Sequence, residues 1–197
     1  MAEFAANIAN LGKYSAGVLV DTTLSFPTTK GQVQAALREI GVDGLRYQEI
    51  IILEYSIGVK GVARVLVEFA YLDELNYLAS RLDGLDPEER MKFAAAVEHG
   101  EYADSLENLI NLTYNLDRCE LYPVQNAEEY GRWLIDELRA IELPEEALNY
   151  FNYESYGEDT AINEGGTFTS RGYMLTGPDP FQKVYDGQHV PEQYKVF

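Results

Sequence analysis

The sequence predicts an α+β chain in three small subdomains: an N-terminal β-β-α-β unit over residues 1–62, an acidic helical bundle over 63–113, and a C-terminal α/β unit with an extended tail over 114–197. Three observations carry this. Runs of strand-like alternation bracket one well-capped helix near the start of the chain. A succession of short helical patterns with brief joints follows, as a small bundle requires. After Asn115 strand-like runs and capped helices are mixed again.

Taken in order, Phe4–Leu11 and Gly17–Phe26 alternate as strands do. Lys13–Gly17 between them is rich in turn formers, which predicts a hairpin. Pro27-Thr28-Thr29 opens a helix, with Thr28 or Thr29 as N-cap and Val33, Ala36, Leu37 and Ile40 on one face. Gly41–Gly44 ends it, and Tyr47–Tyr55 is a β-rich run fit for a third, buried strand. Ser56–Arg64 marks a boundary, and Val65–Tyr71 suits strand and helix equally.

Leu72–Leu82 is a helix with Leu72, Leu75, Leu78 and Leu82 aligned. Asp86-Pro87-Glu88-Glu89 starts the next, with Asp at the N-cap, Pro at the first helical position and acids behind it. That helix runs through Met91, Phe93, Ala94 and Val97 to the His99-Gly100 stop, and Ser105 caps a third through Leu112. Arg118–Val124 reads as a strand whose Pro123 belongs at an edge. Asn126 caps a helix over Ala127–Ile141, with Glu129 completing a capping box and Tyr130, Trp133, Leu134 and Leu138 as its core stripe. Pro144-Glu145-Glu146 begins a short helix to Phe151, Asn152 caps another near Tyr153–Ala161, and Gly165-Gly166 turns into a strand over Thr167–Leu175. From Thr176 the chain is rich in Pro, Gly and aromatic residues and reads as an extended arm, packed on something or ordered with a partner.

Charge is the most uneven property of the chain. Ala63–Thr160 holds 23 acidic and 7 basic residues, a net of 7 − 23 = −16, against a net of −1 on either side. The formal total is −18, whereas solubility of a small domain asks for a magnitude of roughly 2–8. The excess repels itself and works against compaction, which suggests that a partner reads the field. Carboxylates held on rigid helices attract a basic groove, and the commonest basic groove in a cell is one built to hold nucleic acid.

Composition excludes other classes. Acidic disordered segments are poor in aromatic residues, and this chain has 15 Tyr and 8 Phe. The single Cys119 rules out an intrachain disulfide framework and fits a reducing compartment. No run approaches the ~20 apolar residues of a membrane span, and the N-terminus lacks the basic region of a signal peptide. A cytoplasmic location is expected. Basic residues are scattered singly, so direct nucleic-acid binding is not expected, and an anionic membrane surface would repel the chain.

Groups suited to catalysis are few. His99 sits beside a helix C-terminus, where a cation is favoured, and His189 has no partner near it in sequence. Two distant His and one Cys do not make a zinc site, and Cys119 reads as a small buried hydrophobe. Gly165-Gly166 lacks the spacing of a dinucleotide or phosphate loop. Neighbouring acids such as Asp136-Glu137 point apart on a helix. No metal, cofactor or catalytic residue is expected, and the chain reads as a non-enzyme. The contacts expected for a basic partner are Asp73, Glu74, Asp83, Asp86, Glu88, Glu89, Glu98, Glu101, Asp104, Glu107, Glu128, Glu129, Asp136, Glu137, Glu145 and Glu146, acting as an ensemble.

Two stretches carry a family resemblance. Ile8-Ala9-Asn10-Leu11-Gly12-Lys13-Tyr14, then Gly17-Val18-Leu19-Val20 and Phe26-Pro27, resemble the opening of ArdA-type antirestriction proteins of mobile elements. So do the Pro144-Glu145 helix, Asn149–Asp159 and Gly166-Thr167-Phe168. The similarity spans about residues 7–170. It implies an elongated three-part molecule, paired through its C-terminal part, that imitates bent B-form DNA. Such a homodimer would occupy the DNA groove of type I restriction–modification enzymes and block restriction, often modification too. The family's antirestriction segment would fall on about Leu134–Asn149. The alternatives are an acidic adaptor for an unrelated basic protein, an inhibitor of another nucleic-acid enzyme, such as a CRISPR effector, and, third, a carboxylate-based hydrolase.

Overall fold

The computed structural model describes residues 4–197, and its elements mix eight α-helices with two three-stranded antiparallel sheets. The α+β class expected from the sequence holds. In chain order the elements are β1 Phe4–Asn10, α1 Leu11–Ser15, β2 Asp21–Ser25, α2 Lys30–Ile40, β3 Ile50–Ile57, α3 Leu72–Gly84, α4 Pro87–His99, α5 Leu106–Leu112, β4 Cys119–Tyr122, α6 Ala127–Asp136, α7 Glu145–Leu148, α8 Tyr153–Glu164, β5 Thr167–Thr169 and β6 Gly172–Thr176. Contacts group the chain into two units: Met1–Asp86 with Tyr102–Tyr114 and Gln182–Phe197, and Pro87–Glu101 with Asn115–Phe181. Of the three helices read as a central bundle, α3 and α5 fall in the first unit and α4 in the second.

In the first unit β1 lies between β2 and β3. Every residue of β1 except Asn7 is buried, so small and aliphatic side chains fill both of its faces. The β1–β2 pair is the expected hairpin, in register Ala5↔Ser25 through Ala9↔Asp21. Its joint is the one-turn helix α1 rather than a plain turn. The fully buried Asn10 caps α1 through Lys13 N–H and donates to the carbonyls of Ile40 and Gly41, so one side chain ties this joint to the end of α2.

Of the two threonines offered as cap for α2, Thr29 is used, in a full capping box with Gln32; Thr28 instead donates its N–H to Asn76 at 2.7 Å. Gly41 closes α2 in the left-handed conformation, φ 75°. β3 begins three residues later than its apolar run suggests. The Asp43 carboxylate accepts the N–H groups of Leu45, Arg46 and Tyr47, which holds the chain in a turn there. The ambiguous Val65–Tyr71 run is neither strand nor α-helix; Glu68 O accepts from Ile52 N at 2.8 Å on the side of β3 away from β1. The aligned leucines of α3 are buried, as are Leu109, Ile110 and Leu112 of α5, which packs beside it.

In the second unit the sheet order is β4-β6-β5, with α4 against all three strands. The expected strand over Thr167–Leu175 is two strands, because Ser170-Arg171 turns the chain between β5 and β6. Thr169 Oγ1 donates to Gly172 O, and Glu98 on α4 accepts from the Ser170 backbone and hydroxyl. Only glycine fits at 172: φ is 137°, and a Cβ would stand 2.2 Å from Tyr122 O. The helix expected to reach Ile141 stops at Asp136. Leu138 N and Ala140 N bond back to the Trp133 and Leu134 carbonyls while Arg139 adopts φ 49°. Leu138, placed in the core stripe by its spacing, is 55% exposed in consequence.

Candidate acidic binding surface

The second unit contains 18 acidic and 6 basic residues, a net of 6 − 18 = −12, so it holds most of the chain's charge of −18. Cations of this unit already serve its own carboxylates: Lys92 with Glu88 at 3.2 Å, Arg118 with Asp179 at 3.8 Å, Arg132 with Glu128 at 2.9 Å, and Arg171 with Glu98.

Helices α6 and α8 form the frame of this surface. Asn126 caps α6 by accepting from Glu129 N at 2.9 Å, and Asn152 caps α8 by accepting from Ser155 N at 3.1 Å. Glu129 reaches back to Gln125 N rather than to the cap's own N–H, so the expected capping box is shifted by one residue. Acids in the first turns, Glu128, Glu129 and Glu154, lie where the helix dipole favours negative charge. The two helices meet at backbone distance. A Cβ on Gly131 would stand 1.9 Å from Tyr153 O, and one on Gly157 would stand 2.0 Å from Ala127 O. Nothing larger than glycine fits at this crossing.

Beneath them lies a core of Val124, Tyr130, Leu134, Ala161 and Tyr173, flanked by Tyr122, Trp133, Tyr156, Phe168 and Leu175. The Tyr130 and Tyr173 rings approach to 4.2 Å between centroids, and both hydroxyls donate to Glu164, at 2.7 and 3.2 Å. Burial and the adjoining carboxylate push the Tyr173 hydroxyl up to about 12. Most of the unit's aromatic residues are therefore structural, with rings packed and hydroxyls satisfied.

Eleven of the sixteen acids expected to contact a partner are exposed: Asp83, Asp86, Glu88, Glu101, Asp104, Glu128, Glu129, Asp136, Glu137, Glu145 and Glu146. The half-buried five are Asp73, Glu74, Glu89, Glu98 and Glu107. Asp73 accepts the Val196 and Phe197 N–H groups, Glu74 the Tyr185 hydroxyl, Glu98 the Ser170 turn and Arg171, and Glu107 pairs with Lys183. Exposed acids outside that set include Glu154, Glu158 and Asp159 of α8. Their signal was present: Asn152 capping a helix that begins YESYGED predicts acids on its outer face.

Cys119 is buried, and burial pushes its thiol up to about 11, so it is not poised as a nucleophile. His99 lies in the last turn of α4, with Nδ1 2.8 Å from Thr167 Oγ1 and Nε2 3.4 Å from Glu101. Among the described residues no group of three or more His, Cys, Asp or Glu is placed to hold a metal ion. No helix among them is long and apolar enough to cross a membrane.

The family model described as Antirestriction protein (ArdA) matches residues 6–175. The chain belongs to the ArdA antirestriction family. The ArdA match takes in both sheets and all eight helices, apart from the outermost residues of β1 and β6. It leaves the tail after residue 175 outside the region that ArdA proteins share with this chain. A search among curated proteins finds no match. Antirestriction is inhibition rather than catalysis, in keeping with a chain whose most developed feature is a field of carboxylates.

Proposed function

We propose that this chain blocks restriction by DNA mimicry, presenting its carboxylates in place of phosphates in the DNA-binding groove of a type I restriction–modification enzyme. It does so as a non-enzyme, in the cytoplasm, and as a homodimer joined through its C-terminal part. The observation that carries this reading is the net charge of −12 in the second unit, whose helices α6 and α8 are held in backbone contact. A duplex carries one negative charge per ~1.7 Å of axis, so −12 matches that of roughly 20 Å of DNA. Two chains at −18 each match about 18 base pairs. Rigid placement matters as much as charge, since anions held in advance bind without an ordering cost.

The surface acts as an ensemble. An exposed ion pair contributes only ~0.2–1 kcal/mol, so one substitution changes inhibition by no more than about fivefold, while four together remove about one to two orders of magnitude. The block Asp136→Asn, Glu137→Gln, Glu145→Gln and Glu146→Gln tests this in a restriction-protection assay with a type I enzyme. Each single change should be nearly silent and the block strongly impaired. A block variant that folds and inhibits like the parent would overturn the reading.

A further inference from the structure

Residues 182–197 contain no strand and no α-helix, only a 3-10 turn at Glu192–Tyr194, yet Tyr185 and Val196 within them are buried. Their order comes from α3 and α5. Asn111 on α5 accepts the N–H groups of Val184 and Tyr185, both at 2.8 Å, and donates to Tyr185 O at 2.9 Å. Asn76 on α3 donates to Tyr194 O at 2.9 Å, and Asp73 accepts from Val196 N and Phe197 N at 2.6 and 2.8 Å. Three side chains thus read the backbone of an irregular segment, as a peptide receptor does.

Side chains supply the specificity. Tyr194 stacks on Tyr77 with centroids 4.3 Å apart and planes 16° from parallel, and Tyr185 meets the same ring edge-on at 5.4 Å. The Tyr185 hydroxyl donates to Glu74 at 2.7 Å, and Lys183 pairs with Glu107 at 2.6 Å. The Asp186–Val190 loop lies between the two anchor points, with Asp186 accepting the Gln188 and His189 N–H groups. An open cleft of about 410 Å³ lies between it and α3, lined by Tyr71, Asp73, Glu74, Gly187, Gln188 and Val190 among others. The segment is held at two ends and bridges the middle, unlike a core element. It also lies wholly beyond the residues matched by the family model.

We propose that α3 and α5 form a peptide-binding groove for an extended segment bearing two tyrosines and lysines beside them, and that its occupant is the chain's own residues 182–197. The consequence rests on the mimicry reading. Asp73, Glu74 and Glu107 belong to the expected acidic surface but are engaged by the tail. Releasing the tail returns three carboxylates to solvent and withdraws Lys183 and Lys195 from them. An occupied groove therefore restrains inhibition, and an emptied one enhances it.

The test uses the full chain with a protease recognition sequence inserted between Pro180 and Phe181, cut after folding. The fragment should stay bound through gel filtration. A fluorescent peptide of residues 182–197 should exchange into the cut protein saturably. Tyr194→Ala in that peptide should weaken binding by about tenfold or more, and Lys183→Glu should weaken it and flatten its salt dependence. Failure of the labelled peptide to exchange, or equal binding of a scrambled peptide, overturns the groove. So does global unfolding when the fragment leaves, because the tail is then part of the core. In a separate arm, cut protein stripped of its fragment is compared with uncut protein in restriction protection. Peptide binding without any gain in inhibition would keep the groove and sink its link to mimicry.

Discussion

The crossing of α6 and α8 makes the sharpest demand on the sequence, and Gly157→Ala tests it. An added Cβ at 157 would lie 2.0 Å from Ala127 O and 2.7 Å from Gly131 N, both backbone atoms that cannot swing aside. An ordinary contact is ~3.4 Å or more, so the helices must part by over about 1 Å, loosening the aromatic core beneath them. Overpacking of this kind costs about 1–3 kcal/mol, offset by about 0.5–1 kcal/mol because alanine is the better helix former. The net expectation is a loss of about 1–2 kcal/mol. For a chain of this size each kcal/mol lowers the melting midpoint by about 2–4 °C. Gly84→Ala is the internal control: it is the last residue of α3, and its Cβ would meet nothing within 4 Å, so it should leave stability unchanged or raise it slightly. Thermal melts and urea titrations of both variants supply the comparison. A Gly157→Ala protein as stable as Gly84→Ala would refute the close crossing, and with it the rigid frame assigned to the acidic surface.

Two further expectations follow from buried groups. Burial raises the Glu74 carboxyl above its ordinary value of 4.5, the Tyr185 hydroxyl opposing and Glu107 reinforcing that effect. The folded state then holds this proton more tightly than the unfolded one, so stability from Glu74 is present below 4.5 and is lost as pH rises through the raised value. Glu74→Gln, which still accepts from Tyr185, should gain stability relative to the parent between pH 4 and pH 7 in urea melts; a constant difference would contradict this. Cys119 should resist a neutral-pH thiol reagent in the native protein and react once urea unfolds it, and rapid native labelling would contradict its burial.

Local chemistry made much of the fold legible. The capping residues Ser105, Asn126 and Asn152 mark helix starts to the residue, and Thr28-Thr29 marks that of α2 to within one, because a side-chain oxygen that accepts an N–H is a short-range signal. Endings were less legible. The apolar spacing of α6 continues to Leu138 and Ile141, but Arg139 takes a left-handed conformation that its side chain does not advertise. β3 begins late because Asp43 spends its carboxylate on three backbone groups ahead of it. At the candidate surface the acidic bias was readable, whereas the partners of Asp73, Glu74 and Glu107 lie 76 or more residues away in the tail, and nothing in local pattern joins them. Gly131 and Gly157 look like weak points in two helices. Their purpose emerges only when both are placed at one crossing.

Competition with duplex DNA tests the central claim most directly. A type I restriction–modification enzyme would be titrated with fluorescent duplex at increasing fixed concentrations of this protein, from low to physiological salt. The account expects mutual exclusion: the apparent Kd for duplex rises in proportion to the added protein, and the inhibition weakens steeply as salt screens the carboxylates. A ternary complex of enzyme, duplex and this protein, or an inhibition indifferent to salt, would contradict it.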